Sequence, residues 1–87
     1  MDPYHYTVFV DGLEVILAPI EFAILKILME NRGRVVSRES LLIRIWGYDF
    51  EGNERVVDNH MKKLRKALGD ASKQIKTVIK RGYKLEG

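Results

Sequence analysis

The stretch Asn53–Gly69, N-E-R-V-V-D-N-H-M-K-K-L-R-K-A-L-G, decides the fold of this 87-residue chain. On a helical wheel with about 100° per residue, its apolar residues cluster on one side and its polar residues on the other. The apolar side carries Val57, Met61, Leu64 and Leu68; the opposite side carries Arg55, Asn59, Lys62 and Lys66, with Lys63, Asp58 and Arg65 on the flanks. The pattern predicts a helix with one buried face and one exposed cationic face.

The polar face of this helix has two interpretations. Most surface helices carry lysines outward and need no partner, and the helix alone leaves that interpretation open. A merely solvated face usually mixes Glu with Lys, however, and the segment from Arg55 to Gly69 holds five basic residues against the single acid Asp58. The amide of Asn59 is suited to a base edge of DNA, and long cationic side chains are suited to phosphates.

Length and composition indicate one globular domain. The 87 residues suffice for a single modest core, and 46% of them are hydrophobic and 31% charged. Cysteine is absent, which excludes disulfides and thiolate chemistry. No apolar run reaches membrane length, and the amino end lacks the pattern of a secretion signal. We therefore expect residues 1–87 to form a single cytoplasmic domain with no membrane partner.

The net charge of +3 is distributed unevenly along the chain. Residues 1–53 hold five basic and eight acidic side chains, whereas residues 54–84 hold ten basic and three acidic ones. The positive charge is therefore concentrated around the cationic helix. This distribution favours a polyanionic partner on the carboxyl-terminal half.

The amino-terminal half predicts a hairpin and a central helix. Tyr4–Val10 and Leu13–Leu17 are strand candidates, and the Asp11-Gly12 pair between them is typical of a tight hairpin turn. Pro19 fits the first turn of a helix that runs to Asn31 and is apolar on most sides. Residues 34–36 have room only for a short extended link.

The second helix begins after Ser37, a good N-cap, and ends at Gly47. Its buried stripe is predicted to comprise Leu41, Leu42, Ile45 and Trp46. The following loop, residues 47–52, holds two aromatic and two acidic residues. Its aromatic side chains either pin the loop to the core or contact another protein, because acids there would repel phosphate.

The carboxyl-terminal part predicts the third helix and a second hairpin. Asn53 is placed to cap the helix, and a turn at Gly69-Asp70 leads into a polar connection over residues 72–74. Ile75–Ile79 and Tyr83–Leu85 then form a hairpin whose tip, residues 80–82, is basic. This order predicts an α+β fold, a winged helix-turn-helix with three helices, a short N-terminal β-hairpin and a C-terminal β-hairpin wing. In that architecture the recognition helix, residues 54–68, enters the major groove and the wing, residues 75–85, touches backbone or minor groove.

Four stretches resemble the carboxyl-terminal DNA-binding effector domain of OmpR/PhoB-type response regulators. They occur in family order within Leu17–Leu85. The stretches are L-A-P-I-E-F-A-I-L, G-R-V-V-S-R-E-S-L-L-I-R-I-W-G-Y-D, R-V-V-D-N-H-M-K-K-L-R-K-A-L-G, and I-K-T-V followed by R-G-Y-K-L. The resemblance implies a regulator in a two-component system that binds tandem repeats in double-stranded promoter DNA as a head-to-tail pair.

The resemblance also implies roles for individual residues. The DNA contacts of the family's recognition helix fall on Arg55, Val56, Asn59, Lys62, Lys63 and Arg65, with His60 as a phosphate contact. The helical wheel adds Lys66 and favours it over Arg65 as the outward residue. The loop that the family turns toward RNA polymerase falls on Tyr48, Asp49, Phe50 and Glu51.

Three departures from the family pattern stand out. The 18 residues before the first helix allow about two strands, where the family usually has four. Ile79 replaces the usual wing arginine, so a minor-groove cation has to come from Lys80 or Arg81 or does not exist. The receiver domain that normally controls the effector domain is absent from this sequence.

Catalysis is not expected. His5 and His60 are the only histidines and belong to no cluster with metal-ligand spacing, so we expect no metal and no cofactor. Asp49 and Glu51 on one short loop are a weak basis for acid-base chemistry. The alternative function is a winged-helix protein-interaction module that binds an acidic partner. We expect a monomer in the absence of DNA, because the predicted elements leave no large apolar patch exposed.

Overall fold

The structure is a computed structural model of the chain, and it describes residues 6–10 and 12–86. It confirms the predicted order of a hairpin, three helices and a second hairpin, and adds one strand and one 3-10 helix. The helices are α1 (Pro19–Glu30), α2 (Arg38–Trp46) and α3 (Arg55–Leu68). The strands are β1 (Thr7–Val10), β2 (Leu13–Ile16), β3 (Val35–Val36), β4 (Ile75–Val78) and β5 (Gly82–Leu85), and the 3-10 helix is Gly69–Gln74.

The amino-terminal hairpin pairs β1 with β2 in antiparallel register, with Val10 opposite Leu13. The predicted two-residue connection is therefore correct, and Gly12 adopts the positive φ of +80° that such a turn requires. Tyr4, His5 and Asp11, which the sequence placed in this hairpin, lie outside the described residues.

Three large apolar side chains of this hairpin are exposed. Phe9, Leu13 and Ile16 are 69%, 72% and 72% exposed. Val8 and its partner Val15 pack on the core. Leu13 shares the face of Val15 by strand alternation but is exposed, as are Phe9 and Ile16 on the opposite face. These side chains lie on both faces of the hairpin, and the expectation that no large apolar patch is left exposed stays a prediction.

Helix α1 is the central element of the core. Its Ile24 and Leu28 are fully buried, and it packs against α2, α3 and β5. Burial does not extend all round the helix, since Met29 is 41% exposed. The helix ends one residue before the predicted Asn31, whose side-chain amide donates to the Ile27 carbonyl at 2.8 Å.

Helix α2 has the predicted ends. The Ser37 hydroxyl accepts a hydrogen bond from the Ser40 amide at 3.0 Å, and Gly47 follows the last turn with a φ of +92°. The predicted buried stripe is only partly correct. Leu41 is fully buried, but Leu42, Ile45 and Trp46 are half-buried, because α2 packs on α1 and α3 from one side and faces solvent on the other.

The carboxyl-terminal sheet has three strands in the order β3-β5-β4. The segment expected to be a simple link is β3, which pairs Val36 with Tyr83. Gly82 is essential to this arrangement, because a Cβ atom there would lie 2.1 Å from the Val36 carbonyl oxygen. The predicted wing is therefore the outer hairpin of a sheet that is fixed to the start of α2.

Helix α3 begins at Arg55 rather than at residue 54. The N-cap is therefore Glu54 rather than the predicted Asn53, and its side chain makes no cap hydrogen bond. The Asn53 side chain instead accepts from the first helical amide, that of Arg55, at 2.9 Å. After Leu68 the chain enters the 3-10 helix Gly69–Gln74, where a turn and an irregular connection were expected. These differences shift boundaries but leave the predicted α+β winged helix-turn-helix intact.

Candidate nucleic-acid interface

One face of α3 anchors the helix to the core. Val57, Met61, Leu64 and Leu68 are at most 8% exposed, as the helical wheel predicted. Burial of four apolar side chains stabilises this orientation by several kcal/mol, roughly 1.5–3 for each fully buried side chain. The opposite face of α3 is thereby held toward solvent.

The exposed row of α3 consists of four cations and one amide. Within the described residues, these five side chains form no hydrogen bond or ion pair with other groups. Their polar ends are therefore free to meet a ligand. The row comprises Arg55, Asn59, Lys62, Lys63 and Lys66.

The single acid of this helix, Asp58, is neutralised within the domain. Arg38 of α2 donates its Nε–H to Asp58 Oδ1 at 2.8 Å, and the Tyr83 hydroxyl donates to the same oxygen. Burial alone would raise the pKa of Asp58, but the Tyr83 and Arg38 hydrogen bonds outweigh it and hold the pKa below its usual value. The carboxylate therefore stays ionised and does not oppose an approaching polyanion as a free charge.

Arg65 ties the other end of α3 to the wing. Its Nη2 donates to Thr77 Oγ1 at 2.8 Å and to the Ile75 carbonyl at 3.2 Å. The guanidinium carbons of Arg65 and Arg38 lie 5.5 and 5.2 Å from the centre of the Tyr83 ring. We call this group the clasp: Arg38, Asp58, Arg65, Thr77 and Tyr83. It joins α2, α3, β4 and β5 in one polar cluster.

His60 lies on the flank of α3 that faces α1. Its Nδ1 donates to Glu21 Oε1 at 2.9 Å, and its ring centre is 5.7 Å from that of Trp46. Glu21 is only 4% exposed, and among the described residues its other carboxylate oxygen has no partner. His60 is therefore the hydrogen-bond partner of the buried Glu21 side chain, and its Nδ1 is not available to a phosphate.

The tip of the wing consists of three residues between Val78 and Gly82, which pair across the hairpin. Ile79, Lys80 and Arg81 are all exposed. Lys80 adopts a positive φ of +65°, and the Arg81 amide closes the turn by donating to the Val78 carbonyl at 2.9 Å. The tip thus presents one aliphatic and two cationic side chains.

The two aromatic side chains of the loop between α2 and α3 differ in their burial. The Phe50 ring is half-buried with its centre 5.7 Å from that of Trp46, so this residue pins the loop to the domain. Tyr48 is 86% exposed, and Asp49 and Glu51 are exposed as well. The interpretation that an aromatic residue pins the loop is therefore confirmed for Phe50, and the contact of Tyr48 with another protein stays a prediction.

Comparison with known proteins decides the family. A family model described as "Transcriptional regulatory protein, C terminal" matches residues 12–85. This chain belongs to that family.

Relatives and solved structures agree with this assignment. The regulatory protein VanRB of Enterococcus faecalis is 44% identical over 84 residues, which cover 97% of this chain and 37% of that protein. The chain thus spans little more than a third of that relative's length. The response regulator DrrB of Thermotoga maritima, an OmpR/PhoB homologue, superposes with a TM-score of 0.86 at 40% identity, covering 100% of this chain and 41% of that one.

A third similar structure is the Klebsiella pneumoniae RstA DNA-binding domain in complex with the RstA box, with a TM-score of 0.83 and 33% identity over 98% of this chain and 87% of that one. Together these matches confirm the OmpR/PhoB-type resemblance and the winged helix-turn-helix fold, and they place this regulatory domain among transcriptional regulators rather than enzymes. They support sequence-specific DNA binding in transcription regulation as its activity.

The predicted contact residues of this regulatory domain fall into three geometric groups. Five form the exposed row of α3, and Lys80 and Arg81 lie at the wing tip. Arg65 and His60 are engaged within the domain, and Val56 is half-buried against the core. The structure therefore agrees with the helical wheel, which favoured Lys66 over Arg65 as the outward residue.

The sequence analysis did not predict the contacts that four residues make with the site: Glu21, Arg38, Thr77 and Tyr83. Each acts through a partner that is distant in sequence, such as Asp58, which lies 20 positions from Arg38 and 25 from Tyr83. One local signal was available. Asp58 is the only acid on a cationic helix, and a lone opposite charge on such a helix calls for a partner.

The described part of this regulatory domain lacks two other features. No helix in it is long and apolar enough to cross a bilayer. No group of three or more His, Cys, Asp or Glu side chains in it is placed to hold a metal ion.

Proposed function

We propose that this domain binds double-stranded promoter DNA, with α3 in the major groove and the β4–β5 hairpin on the backbone or in the minor groove. The observation behind this proposal is the exposed row on a helix whose other face is buried. Among the described residues, its five polar side chains form no hydrogen bond and no close ion pair. An α-helix fits the width of the major groove, and cations on it release counterions from the DNA.

Within this proposal the residues of the exposed row make different kinds of contact with DNA. Asn59 lies at the middle of the row, where an amide can pair with the N6 and N7 edge of adenine. Arg55, Lys62, Lys63 and Lys66 reach phosphates or guanine edges. The half-buried Val56 and the flanking His60 contribute apolar and ring contacts at the edges of the groove, with the Nε2 of His60 as its only free polar atom. Arg65 contributes mainly by holding the wing in place.

The wing supports the same docking. Arg65 binds β4 through Thr77, and Asp58 binds β5 through Tyr83, so α3 and the wing are held as one unit. Lys80 and Arg81 at the tip then supply phosphate contacts outside the major groove. We therefore propose that the two elements bind DNA together.

The larger assembly is also a proposal. Residues 1–87 act as one DNA-binding unit in the cytoplasm, monomeric when free and paired head to tail on tandem promoter repeats about one helical turn apart. The exposed loop residues Tyr48, Asp49 and Glu51 face RNA polymerase, because acids repel phosphate but suit a protein partner. The half-buried Phe50 holds that loop in position.

Selection from a random pool of duplex oligonucleotides tests the proposal. We expect enrichment of one motif, bound more tightly than random DNA by at least a factor of about 10³ at physiological salt. Steep loss of affinity with salt should accompany it. A module for acidic proteins would bind every duplex alike, so the absence of any enriched motif would refute sequence-specific binding.

A further inference from the structure

The wing tip carries an unusual residue for an element that meets DNA. Ile79 is 81% exposed, more than any other large aliphatic side chain among the described residues. Isolated exposed aliphatic residues are ordinary on protein surfaces. This one, however, lies in a three-residue turn beside two exposed cations, Lys80 and Arg81.

The base of the wing is fixed, so the tip is presented in a defined place. Gly82 is packed so closely on the Val36 carbonyl that a Cβ atom would not fit. Thr77, two residues before Ile79, accepts a hydrogen bond from Arg65 of α3 at 2.8 Å. Strand β4 ends at Val78, so Ile79 is the first residue of the turn and lies only two positions after this anchor.

We propose that Ile79 is a specificity-determining residue that makes an apolar contact in the minor groove, with Lys80 and Arg81 on the neighbouring phosphates. This inference rests on the proposed docking of the domain. Contact with DNA would remove the exposed Ile79 side chain from water, which favours binding. The adjacent cations bring the tip to the backbone.

The chemistry of isoleucine determines which DNA sequences this contact favours. Its side chain has no hydrogen-bond donor, so it cannot pair with the acceptor atoms of A·T pairs in the minor groove. Apolar side chains there act instead as wedges at steps that unstack easily. TA and CA/TG steps are the most deformable, so the wing should prefer them. A cation at this position would prefer the narrow minor groove of an A-tract.

Site selection with three proteins tests the inference: the unaltered domain, Ile79→Ala and Ile79→Arg. The unaltered domain should enrich TA or CA/TG steps in the flank beside the motif read by α3. Ile79→Ala should keep the α3 motif, lose the flanking preference and bind the selected site about fivefold more weakly, the scale of part of one base-pair preference. Ile79→Arg should shift the preferred DNA sequence beside the α3 motif toward runs of A·T pairs.

Lys80→Ala is the matched control at the same tip. It removes a phosphate contact, so it should reduce the salt slope by about one unit and leave the flanking preference unchanged. Ile79→Ala should leave the salt slope unchanged and remove the flanking preference. The thermal midpoint of each variant, expected to match the unaltered domain because the tip is exposed, shows that a change in binding does not arise from unfolding.

The outcomes separate this inference from the proposed function. A flank that is random with the unaltered domain, or unchanged by Ile79→Ala while the α3 motif is retained, would overturn the role of Ile79 alone. No enriched motif with any of the proteins would overturn the DNA-binding proposal itself.

Discussion

The two sides of α3 use similar residue types for different purposes. Lys66 and Arg65 are neighbours in sequence, yet Lys66 is exposed, whereas the Arg65 guanidinium donates to Thr77 and the Ile75 carbonyl. In the same way Asn59 is exposed, whereas the adjacent Asp58 binds Arg38 and Tyr83. A charged residue on a recognition helix is therefore not automatically a DNA contact. In the proposed docking the exposed row binds DNA, whereas Asp58 and Arg65 on the side of the helix hold it in position.

The clasp stabilises the domain mainly through the buried hydroxyl of Tyr83. The ion pair of Arg38 and Asp58 is partly exposed, with side chains 24% and 37% accessible, so its Coulomb attraction contributes little. Tyr83 is only 4% exposed, and a buried hydroxyl without a partner is costly. Burial and the bond to Asp58 also raise the pKa of Tyr83 above its usual value, which keeps the hydroxyl protonated as a donor.

The largest expected effect is a loss of folding stability when the clasp is broken. Asp58→Ala leaves the Tyr83 hydroxyl and the Arg38 guanidinium without their acceptor, so the free energy of unfolding should fall by about 3 kcal/mol. Urea unfolding measures it. Asp70→Ala is the control, because this exposed carboxylate has no ion pair among the described residues and should change stability by less than about 0.5 kcal/mol. Equal effects of the two substitutions would contradict the clasp.

Acid should weaken the same contact. The pKa of Asp58 is lower in the folded domain than in the unfolded chain, so its contribution is present above the unfolded value and is lost as pH falls through the folded one. Between about pH 5 and pH 2 the stability of Asp58→Asn should therefore decline less than that of the unaltered domain. Glu86→Gln is the control. Its carboxylate also has a lowered pKa, but solvent screens its pair with Lys84, so the pH profile should change less.

The next effect concerns the exposed row. Asn59→Ala should weaken binding to the selected site by about 2 kcal/mol and binding to random DNA very little, because an amide pair with a base edge depends on sequence. Titration of both DNAs at one salt concentration measures the difference. Equal weakening on both would show that Asn59 contacts the backbone.

Lys66 and Arg65 give the sharpest comparison across the two sides. Lys66→Ala should reduce the salt slope by about one unit on specific and random DNA alike, with unchanged stability. Arg65→Ala should lower the thermal midpoint, because Thr77 and the Ile75 carbonyl lose their donor, with a smaller effect on the slope. The reverse result would make Arg65 the phosphate contact and would assign Lys66 no role in binding.

The smallest expected effect on DNA is in the loop. Tyr48→Ala, Asp49→Asn and Glu51→Gln should change affinity for DNA by less than about 0.5 kcal/mol, because these side chains are exposed and outside the row. Transcription from a promoter that contains the selected site should nevertheless fall if the loop contacts polymerase. A proportional loss of DNA affinity would place the loop in the DNA interface instead.

The sequence by itself determined the features that depend on neighbours along the chain. The two faces of α3 follow from helical periodicity, the Ser37 cap from its place before α2, and the first hairpin from the spacing of two strand segments. Lys66 was correctly distinguished from Arg65 for the same reason. Such features need only local geometry, which the order of residues specifies.

The tertiary structure alone decided the contacts between segments. Strand β3 has only two residues, Val35 and Val36, too few to show alternation, and it exists because β5 lies beside it. The bond between His60 and Glu21 joins positions 39 apart, and Arg38 reaches Asp58 across 20. No periodicity relates such residues. Their pairing depends on how α1, α2, α3 and the wing pack around one core, because that packing sets which polar groups are withdrawn from water together.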